Sequence, residues 1–309
     1  MKKFDVLVAG EINPDLILSE PGLEPKFGQQ EVLVNSAELT IGSSSAIYAC
    51  GASRLGLKVA FIGVIGDDIL GHFMLRAMQA HGVDVSHVII DPDQKTGLSV
   101  ILNRGTDRAI LTHLGTIDAL KVEQIPNDLL MASRHLHVAS YFLQKSLQPG
   151  LGDLFRKALN NGISTSLDTN WDPSGNWVEV ASILPEVSIF FPNEAEAMAI
   201  TGATDMQTAL KRINQYANLS VVKLGFDGAA VVDKTQIVHV PSLLVEVADT
   251  VGAGDSFDAG YTYGFLQGWS IEKSLKLAIA CGSLSTRAHG GTEAQPTLEV
   301  ALKAVNLDY

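Results

Sequence analysis

Cysteine is nearly absent from this sequence of 309 residues, which contains only Cys50 and Cys281. Two cysteines inside apolar stretches do not form the disulfide framework of a small secreted domain, so we expect a reducing, cytoplasmic environment. Long apolar runs are also missing, and none approaches the ~20 residues that a membrane-spanning helix needs. Asp5 and Glu11 interrupt the opening apolar run, which argues against a signal peptide. The sequence therefore predicts a protein without a membrane partner.

Basic residues are also scarce. The chain has 22 Lys and Arg against 34 Asp and Glu, for a formal net charge of −12. Binding a nucleic acid requires a basic face that neutralises phosphates, so we expect no nucleic-acid partner. The dipeptide Gly-Lys occurs nowhere, which excludes the GxxxxGK[ST] phosphate loop. Binding of small phosphorylated ligands remains possible, because it needs only a few local amides and cations.

Short apolar strands alternate with helical patterns along most of the chain. Phe4–Gly10 and Val59–Gly66 are typical of buried strands, Ser45–Gly56 of a helix, and Asp255–His289 of a helical pair. This alternation predicts an α/β fold whose parallel sheet is covered by helices on both faces. Because 46% of the residues are hydrophobic, a large core is expected, and we expect residues 1–309 to form a single domain.

Two segments alternate polar and apolar residues instead, Glu31–Gly42 and Gly97–Gly115. Such strands expose one face, so they predict a small separate β-sheet from about residues 13–42 and 96–116. The second segment is a hairpin whose turn contains Arg104 and Asp107. A small sheet appended in this way can act as a lid over a site, and its exposed face is a candidate surface for a homodimer.

The stretch DTVGAGDSFDAG (Asp249–Gly260) combines glycines with carboxylates at the predicted start of a helix. A dinucleotide-binding GxGxxG motif does not fit, because Phe257 occupies the third glycine position. The bare N–H groups of the three residues before Asp255 make an anion site at a helix N-terminus. Asp255 is then either a simple helix cap or a base that takes a proton from a hydroxyl attacking phosphorus.

Extended to DTVGAGDSFDAGYTYGFLQG, this stretch resembles the C-terminal signature of the PfkB (ribokinase-like) carbohydrate kinase family. The match is dense, and the order of strands and helices agrees along the whole chain. The resemblance implies a ribokinase-like three-layer sandwich with a mostly parallel central sheet and a small β-sheet lid. It also implies ATP and Mg²⁺ as cofactors. The implied catalytic residues are the base Asp255 and the anion hole of Gly252, Ala253 and Gly254.

The substrate side departs from the family pattern at one position. GEINPDLI resembles the opening motif whose Asn and Asp bind sugar hydroxyls. In the next signature, two glycines are followed four residues later by a substrate-binding asparagine, but here a serine follows the first glycine and Ile47 replaces the asparagine. Serine hydroxyls then stand where backbone and amide groups would bind. The predicted substrate-binding residues are Asn13, Asp15, Gly42, Ser43, Ser44, Ser140 and Asp255.

The donor side is predicted from further segments of the chain. PNEAEAMAITG resembles the segment with the NxxE motif, which implies that Glu196 organises Mg²⁺ and its waters. Asp168 follows a predicted strand and is expected to assist the metal or phosphates indirectly, while Trp171 is expected to pack. VVKLGFDGA resembles the strand and turn beside the nucleotide, and Ala288–Pro296 resembles the loop that closes over the adenine. The predicted nucleotide-binding residues are Asn193, Lys223, Gly225, Gly228, Gly254 and Gly282.

Together these features predict an ATP-dependent kinase that transfers the γ-phosphate to a hydroxyl of a sugar or sugar-like substrate. A monovalent-cation site, present in part of the family, would make Asp249 a ligand of K⁺. Nucleosides and sugar phosphates are alternative acceptors, and the candidate cations for a sugar phosphate are Lys26, Arg104 and Arg108. A sugar-sensing regulatory protein on this scaffold is the non-enzyme alternative, against which the intact base and glycine loop argue. Asp258 has no function that the sequence assigns.

Overall fold

The computed structural model describes residues 2–104, 107–170 and 177–307, so Trp171 lies outside the described residues. The strands, in chain order, are β1 (Phe4–Ala9), β2 (Pro14–Ser19), β3 (Ser36–Ile41), β4 (Val59–Ile62), β5 (Val64–Gly66), β6 (Ile89–Asp91), β7 (Leu98–Arg104), β8 (Asp107–His113), β9 (Ser133–Val138), β10 (Ser164–Leu167), β11 (Ile189–Phe190), β12 (Leu219–Lys223), β13 (Ala229–Asp233) and β14 (Ile237–Val240). The α-helices are α1 (Ser44–Arg54), α2 (Ile69–Ala80), α3 (Asn127–Met131), α4 (Leu151–Asn160), α5 (Val178–Ile183), α6 (Glu194–Thr201), α7 (Met206–Arg212), α8 (Ala253–Leu266), α9 (Ile271–Ser285) and α10 (Leu298–Ala304).

Eight strands form the central sheet, in the spatial order β14-β13-β12-β11-β10-β9-β1-β4. The strands from β12 to β4 are parallel, which confirms the α/β class with a mostly parallel sheet. At one edge, β13 and β14 run antiparallel, which the strand–helix alternation did not predict. A tight turn over Gly225–Asp227 joins β12 to β13, and Gly228 follows with φ +93°, a conformation that favours glycine. So short a connection cannot make a parallel crossover.

The first strand shows why the central sheet lies between two layers of helices. Val6 and Val8 point to one face and pack in the cluster that contains Tyr48 of α1. Leu7 points to the other face and packs in the cluster that contains Phe155 of α4. A strand buried on both faces has a continuous apolar sequence, as parallel strands do. Within the described ranges, no helix is both long enough and apolar enough to cross a membrane.

The small sheet has four strands in the order β3-β2-β7-β8. It contains two antiparallel pairs and one parallel pair, β2 with β7. Asp15, Ser99 and Thr112 stand side by side on its inner face, which turns toward the central sheet. A small separate sheet is therefore confirmed, but β3 begins only at Ser36, later than the alternation from residue 31 predicted.

The segment predicted as one strand over Val59–Gly66 is two strands, β4 and β5, separated by Gly63. A Cβ atom at Gly63 would lie 3.0 Å from side-chain carbons of Ile12 and Phe61, so only glycine fits this crowded position. Beyond it, β5 leaves the central sheet and pairs with β6 in a separate two-stranded sheet. The apolar run does not reveal this break, because both strands are buried.

Candidate active site

A large cleft of about 920 Å³ lies between the carboxyl ends of the parallel strands and the inner face of the small sheet. In open α/β sheets this edge is where ligands bind. The predicted residues that line the large cleft are Asn13, Asp15, Ser43, Ser44, Ser140, Asp168, Asn193, Glu196, Lys223, Gly225, Gly252, Gly254 and Asp255. The structure thus brings together residues that lie more than 200 positions apart in the chain.

A smaller apolar cleft of about 300 Å³ adjoins the large one, and both share Lys223, Gly225 and Gly254. Its walls are largely aliphatic, with Leu243 and Ile279 among the lining residues, which suits the flat apolar base of a nucleotide. Three more predicted residues line this apolar cleft, namely Gly228, Ala253 and Gly282.

Gly42 does not line either cleft but makes room for a residue that does. A Cβ atom at this position would lie 2.5 Å from Cγ of Asp15 and 2.8 Å from the carbonyl oxygen of Asn13. Glycine therefore lets the start of β2 pack under the end of β3. Burial raises the pKa of Asp15 to about 7, although Arg108 acts in the opposite direction.

Asp249 also lies outside both clefts. Its Oδ1 accepts the backbone N–H of Val251 at 3.1 Å, and its Oδ2 accepts that of Gly290 at 3.1 Å. Arg108 of the small sheet lies 3.9 Å from the same carboxylate. These contacts connect the glycine loop to residue 290 and to the small sheet.

Gly252 sets the start of α8. It is the N-cap residue with φ +71°, a conformation that favours glycine, and a Cβ atom there would lie 2.8 Å from both Gly291 Cα and Ile47 Cγ2. Asp255 is the third residue of α8, and no side chain, including that of Asp255, makes a capping hydrogen bond at the start of this helix. The simple helix-cap interpretation of Asp255 is therefore wrong. Its side chain instead turns into the large cleft.

The surroundings of Asp255 favour a proton acceptor. Burial raises the pKa of Asp255 well above its ordinary value, and the neighbouring Asp168 carboxylate adds to the rise. Lys223 and a side-chain hydrogen bond with Ser44 act in the opposite direction. A carboxylate that holds protons more strongly is a better base for an alcohol near neutral pH.

Lys223, at the end of β12, is partly buried, with a side chain 15% exposed, and lies between two carboxylates. Its Nζ lies 2.7 Å from Asp168 Oδ2 and 3.2 Å from Asp258 Oδ2. Burial acts to lower the pKa of Lys223, but attraction to the two carboxylates more than offsets this and raises it. Burial raises the pKa of Asp258 well above its ordinary value, against the effect of Lys223. The sequence left Asp258 unassigned, although a carboxylate one turn after Asp255 on a helix of small and aromatic residues was a usable signal.

Asn193 and Glu196 form a capping box at the start of α6. The Asn193 side chain donates to Glu196 Oε1 at 2.6 Å, its backbone N–H donates to Oε2 at 2.9 Å, and its Oδ1 accepts the Glu196 N–H at 3.0 Å. Glu196 is 1% exposed, so its carboxylate is buried and is not a charge on a surface helix. Burial raises the pKa of Glu196 to about 7, with Asp168 as a further cause.

The polar groups around Glu196 fit Mg²⁺ held through water and phosphate. Glu196 and Asp168 both line the large cleft, and a buried carboxylate with a raised pKa is stabilised by a nearby cation. The described residues contain no group of three or more His, Cys, Asp or Glu side chains arranged to hold a metal. Mg²⁺ commonly keeps several waters and takes one or two carboxylates plus substrate phosphates, so it needs no such group.

Ile47 fills the position of the expected substrate-binding asparagine. A Cβ atom on Gly291 would lie 2.8 Å from Ile47 Cγ1, so the side chain packs tightly against the backbone of residue 291. Gln295 donates to the Ile47 carbonyl at 2.9 Å and to Ser256 at 2.9 Å. The segment Ala288–Pro296 therefore packs against α1 and α8. It is not among the residues that line the apolar cleft, and its position over an adenine stays a prediction.

Ser43 and Glu11 build the floor of the large cleft. The Ser43 hydroxyl donates to the Glu11 carbonyl at 2.7 Å, and its oxygen accepts the Ala46 N–H at 3.0 Å and so caps α1. The Glu11 carboxylate, which sequence reasoning missed, accepts from the Ser45 hydroxyl at 2.5 Å and from Gln144 at 3.1 Å. Ser43 thus lines the cleft with a hydroxyl that the fold already uses.

Comparison with known sequences gives a consistent set of relatives. The sequence profile of the pfkB family carbohydrate kinases matches residues 3–298. A 5-dehydro-2-deoxygluconokinase of Geobacillus thermodenitrificans is 31% identical over 278 residues, which cover 84% of this chain and 82% of the relative. A 2-dehydro-3-deoxygluconokinase of Bacillus subtilis is 30% identical over 314 residues, 96% of this chain and 94% of the relative.

Comparison with solved structures gives the same fold. An E. coli protein described as a ribokinase II candidate, in complex with ATP and Mg²⁺, superposes with a TM-score of 0.87. It is 22% identical, and the match covers 98% of this chain and 99% of that chain. The ribokinase-like three-layer fold is thus confirmed.

Proposed function

Since the chain belongs to the pfkB family of carbohydrate kinases and is an ATP-dependent sugar kinase, we propose that its acceptor is a sugar acid. The main evidence is the position of Arg108, whose side chain reaches the large cleft from the inner face of the small sheet. A carboxylate on the acceptor would pair with this guanidinium in a charge-assisted hydrogen bond. The two relatives quoted above are named for deoxygluconates, which are sugar acids, and this supports the assignment.

Arg108 differs from the other cations considered. Its register partner is Asn103, which puts it on the same face of the small sheet as Asp15 and Thr112. Arg104 pairs with Asp107 at the hairpin turn, and its side chain is half exposed. Lys26 is exposed and does not line the large cleft. Of these three cations, Arg108 is the one that lines the large cleft, where it also lies 3.9 Å from the Asp249 carboxylate.

Lys223 is the other basic residue among the described residues that line the large cleft. Two carboxylates already compensate its charge. A phosphate on the acceptor carries up to two charges and commonly uses several cations, whereas one guanidinium matches one carboxylate. Sugar phosphates are therefore the weaker alternative. Nucleosides have no anionic group that would use Arg108.

We propose that Asp255 accepts the proton of the attacking hydroxyl. The N–H groups at the start of α8, beside Gly252 and Gly254, then stabilise the charge of the transferring phosphoryl group. Glu196 and Asn193 would organise Mg²⁺, which would supply positive charge to neutralise the donor phosphates. Asn13 and Asp15 take the sugar hydroxyls, and the small sheet excludes water that would otherwise hydrolyse ATP.

We expect Arg108→Met to raise the KM for the acid acceptor about 10- to 100-fold, because a charge-assisted hydrogen bond is lost. The kcat/KM for neutral sugars such as ribose and fructose should stay unchanged. The measurement is ADP release with 2-dehydro-3-deoxygluconate, with 5-dehydro-2-deoxygluconate, and with the neutral sugars ribose and fructose.

The matched control is Arg104→Met, which removes an arginine of the same hairpin that does not line the cleft. It should leave the KM for every acceptor unchanged. If the wild-type enzyme uses neutral sugars better than acids, or if Arg108→Met affects both alike, the sugar-acid assignment is wrong.

We also propose that the outer face of the small sheet forms a homodimer. Leu16 and Val100 lie side by side there, flanked by Leu39 and Leu111, which are 41% and 61% exposed. An exposed apolar sheet face of this kind is typical of an interface. We expect Leu111→Glu to convert the dimer to a monomer in sedimentation velocity. Val300→Glu, on the exposed side of α10, is the control, and a wild-type monomer at micromolar concentration contradicts the proposal.

The potassium requirement stays a prediction. Asp249 currently accepts two backbone N–H groups and has Arg108 nearby, a set of donors that favours a structural role over a cation ligand. The cytoplasmic location and the lack of a nucleic-acid partner likewise stay predictions from composition, as does the single domain over residues 1–309.

A further inference from the structure

Three polar residues around the large cleft have positive φ angles, a backbone conformation that is unfavourable for residues other than glycine. Ser43, Ser140 and Asn170 have φ values of +68°, +50° and +53°, and they are three of the five non-glycine residues with positive φ in the described chain. Such conformations cost free energy and concentrate at functional sites. All three line the same cleft, so the fold holds them there against this cost.

Asn170 connects three elements through its side-chain amide. Its Nδ2 donates to the Ser44 hydroxyl of α1 at 2.8 Å and to the Ser140 hydroxyl after β9 at 2.7 Å. Its backbone N–H donates to Asp168 Oδ1 at 3.0 Å, which fixes the loop after β10. Both amide hydrogens are therefore used, and each serine oxygen acts as an acceptor.

The donor role of Asn170 decides the direction of the next hydrogen bond. A serine hydroxyl has one hydrogen and two lone pairs, and the amide of Asn170 occupies a lone pair of Ser44. The remaining hydrogen of Ser44 is free for another acceptor. Asp255 lines the same cleft as Ser44, and interaction with the Ser44 side chain is among the causes that lower the pKa of Asp255. A chain from Asn170 to Ser44 to Asp255 would therefore let each group donate in the same direction.

We propose that Ser44 and Asn170 are positioning residues for Asp255. The amide orients the Ser44 hydroxyl, and the hydroxyl holds the Asp255 carboxylate toward the acceptor. The amide approaches from the end of β10, whereas position 47, where the family pattern has asparagine, is filled by Ile47. This inference rests on the proposed role of Asp255 as base, and it does not depend on whether the acceptor is an acid.

The test is a double-mutant cycle with Ser44→Ala, Asn170→Gly and both together, using the best acceptor of the wild-type enzyme. Glycine is chosen because it removes the amide and accepts the positive φ of position 170 without strain. We expect each single change to lower kcat about 10- to 100-fold, the range for a hydrogen bond to a charged group. The KM values for acceptor and ATP should change much less. The double variant should be no slower than the slower single one, because Asn170 acts through Ser44.

Three results would overturn the inference. The first is a kcat of Ser44→Ala equal to that of the wild type. The second is a double variant whose loss of kcat equals the product of the two single losses. The third is a raised KM for the acceptor with an unchanged kcat. The last result would make both residues substrate ligands. Thermal unfolding of each variant separates loss of fold from loss of turnover, and Asn170→Gly tests the proposal even if Ser44→Ala unfolds. Normal turnover of Asp255→Asn would instead disprove the base itself.

Discussion

Asp255→Asn should lower kcat by about 10²- to 10⁴-fold, the contribution of a general base. Asparagine has nearly the same shape but cannot take the proton of the acceptor hydroxyl. Burial raises the pKa of Asp255, so its ionised form costs stability in the folded protein at pH 8. The neutral variant should therefore unfold at a temperature equal to or above that of the wild type at pH 8. ADP release and thermal unfolding measure the two effects.

Asp153→Asn is the matched control, because Asp153 lies on α4 with an 81% exposed side chain and pairs only with the surface residue Arg156. It should leave kcat unchanged. ATP binding by the Asp255→Asn variant, followed by calorimetry, should also be retained. Turnover of Asp255→Asn within a factor of about ten of the wild type would contradict the assignment of the base.

Lys223→Met should lower the free energy of unfolding by about 3–5 kcal/mol, the cost of leaving buried charges without their partner. Lys223 compensates Asp168 and Asp258, which are 2% and 1% exposed. Methionine keeps the aliphatic stem and removes only the charge. Urea unfolding at neutral pH measures the loss. Lys276→Met, which breaks the exposed pair with Glu272 on α9, should cost only about 0.5 kcal/mol.

The loss of unfolding free energy caused by Lys223→Met should increase as the pH rises. Burial already raises the pKa values of Asp258 and Glu196, whereas Lys223 helps to lower that of Asp168. Without the ammonium group, we expect the folded-state pKa values of all three carboxyls to lie above their unfolded values. The folded variant then binds more protons than the unfolded chain, so its stability rises as the pH falls toward 5. The difference from the wild type should therefore be larger at pH 8 than at pH 5.5. An equal loss at both values would contradict the charge explanation and indicate loss of packing.

Much of the fold is predictable from the sequence because its signals are local. The apolar run Phe4–Gly10 becomes β1, and the helical pattern Ser45–Gly56 becomes α1, which spans Ser44–Arg54. The glycine loop is recognisable in the sequence because position 252 has a positive φ and a crowded backbone, and both features require glycine. By contrast, the break at Gly63 is not predictable, since it depends on contacts with residues far along the chain.

The candidate site is predictable only in part, for the same reason. Asp255 and Glu196 belong to short motifs, whereas Asp258 gains its partner from Lys223, 35 positions earlier. The contact between Asn170 and Ser44 spans 126 positions, and no spacing rule reveals it. Arg108 was one of three candidate cations until the strand register placed it on the inner face. Contacts between polar residues that are distant in the chain are therefore the part of the site that cannot be predicted from the sequence.

The central claim is that Asp255-dependent transfer puts the phosphate of ATP on a hydroxyl of a sugar acid. The most direct measurement is ³¹P NMR of the reaction mixture with ATP, Mg²⁺ and 2-dehydro-3-deoxygluconate or 5-dehydro-2-deoxygluconate. We expect a new phosphomonoester signal equal in amount to the ADP formed. It should appear about 10²- to 10⁴-fold more slowly with Asp255→Asn, and more slowly with Arg108→Met at low acceptor concentration. Inorganic phosphate as the only product, or a phosphomonoester formed with neutral sugars but not with the acids, would contradict the claim.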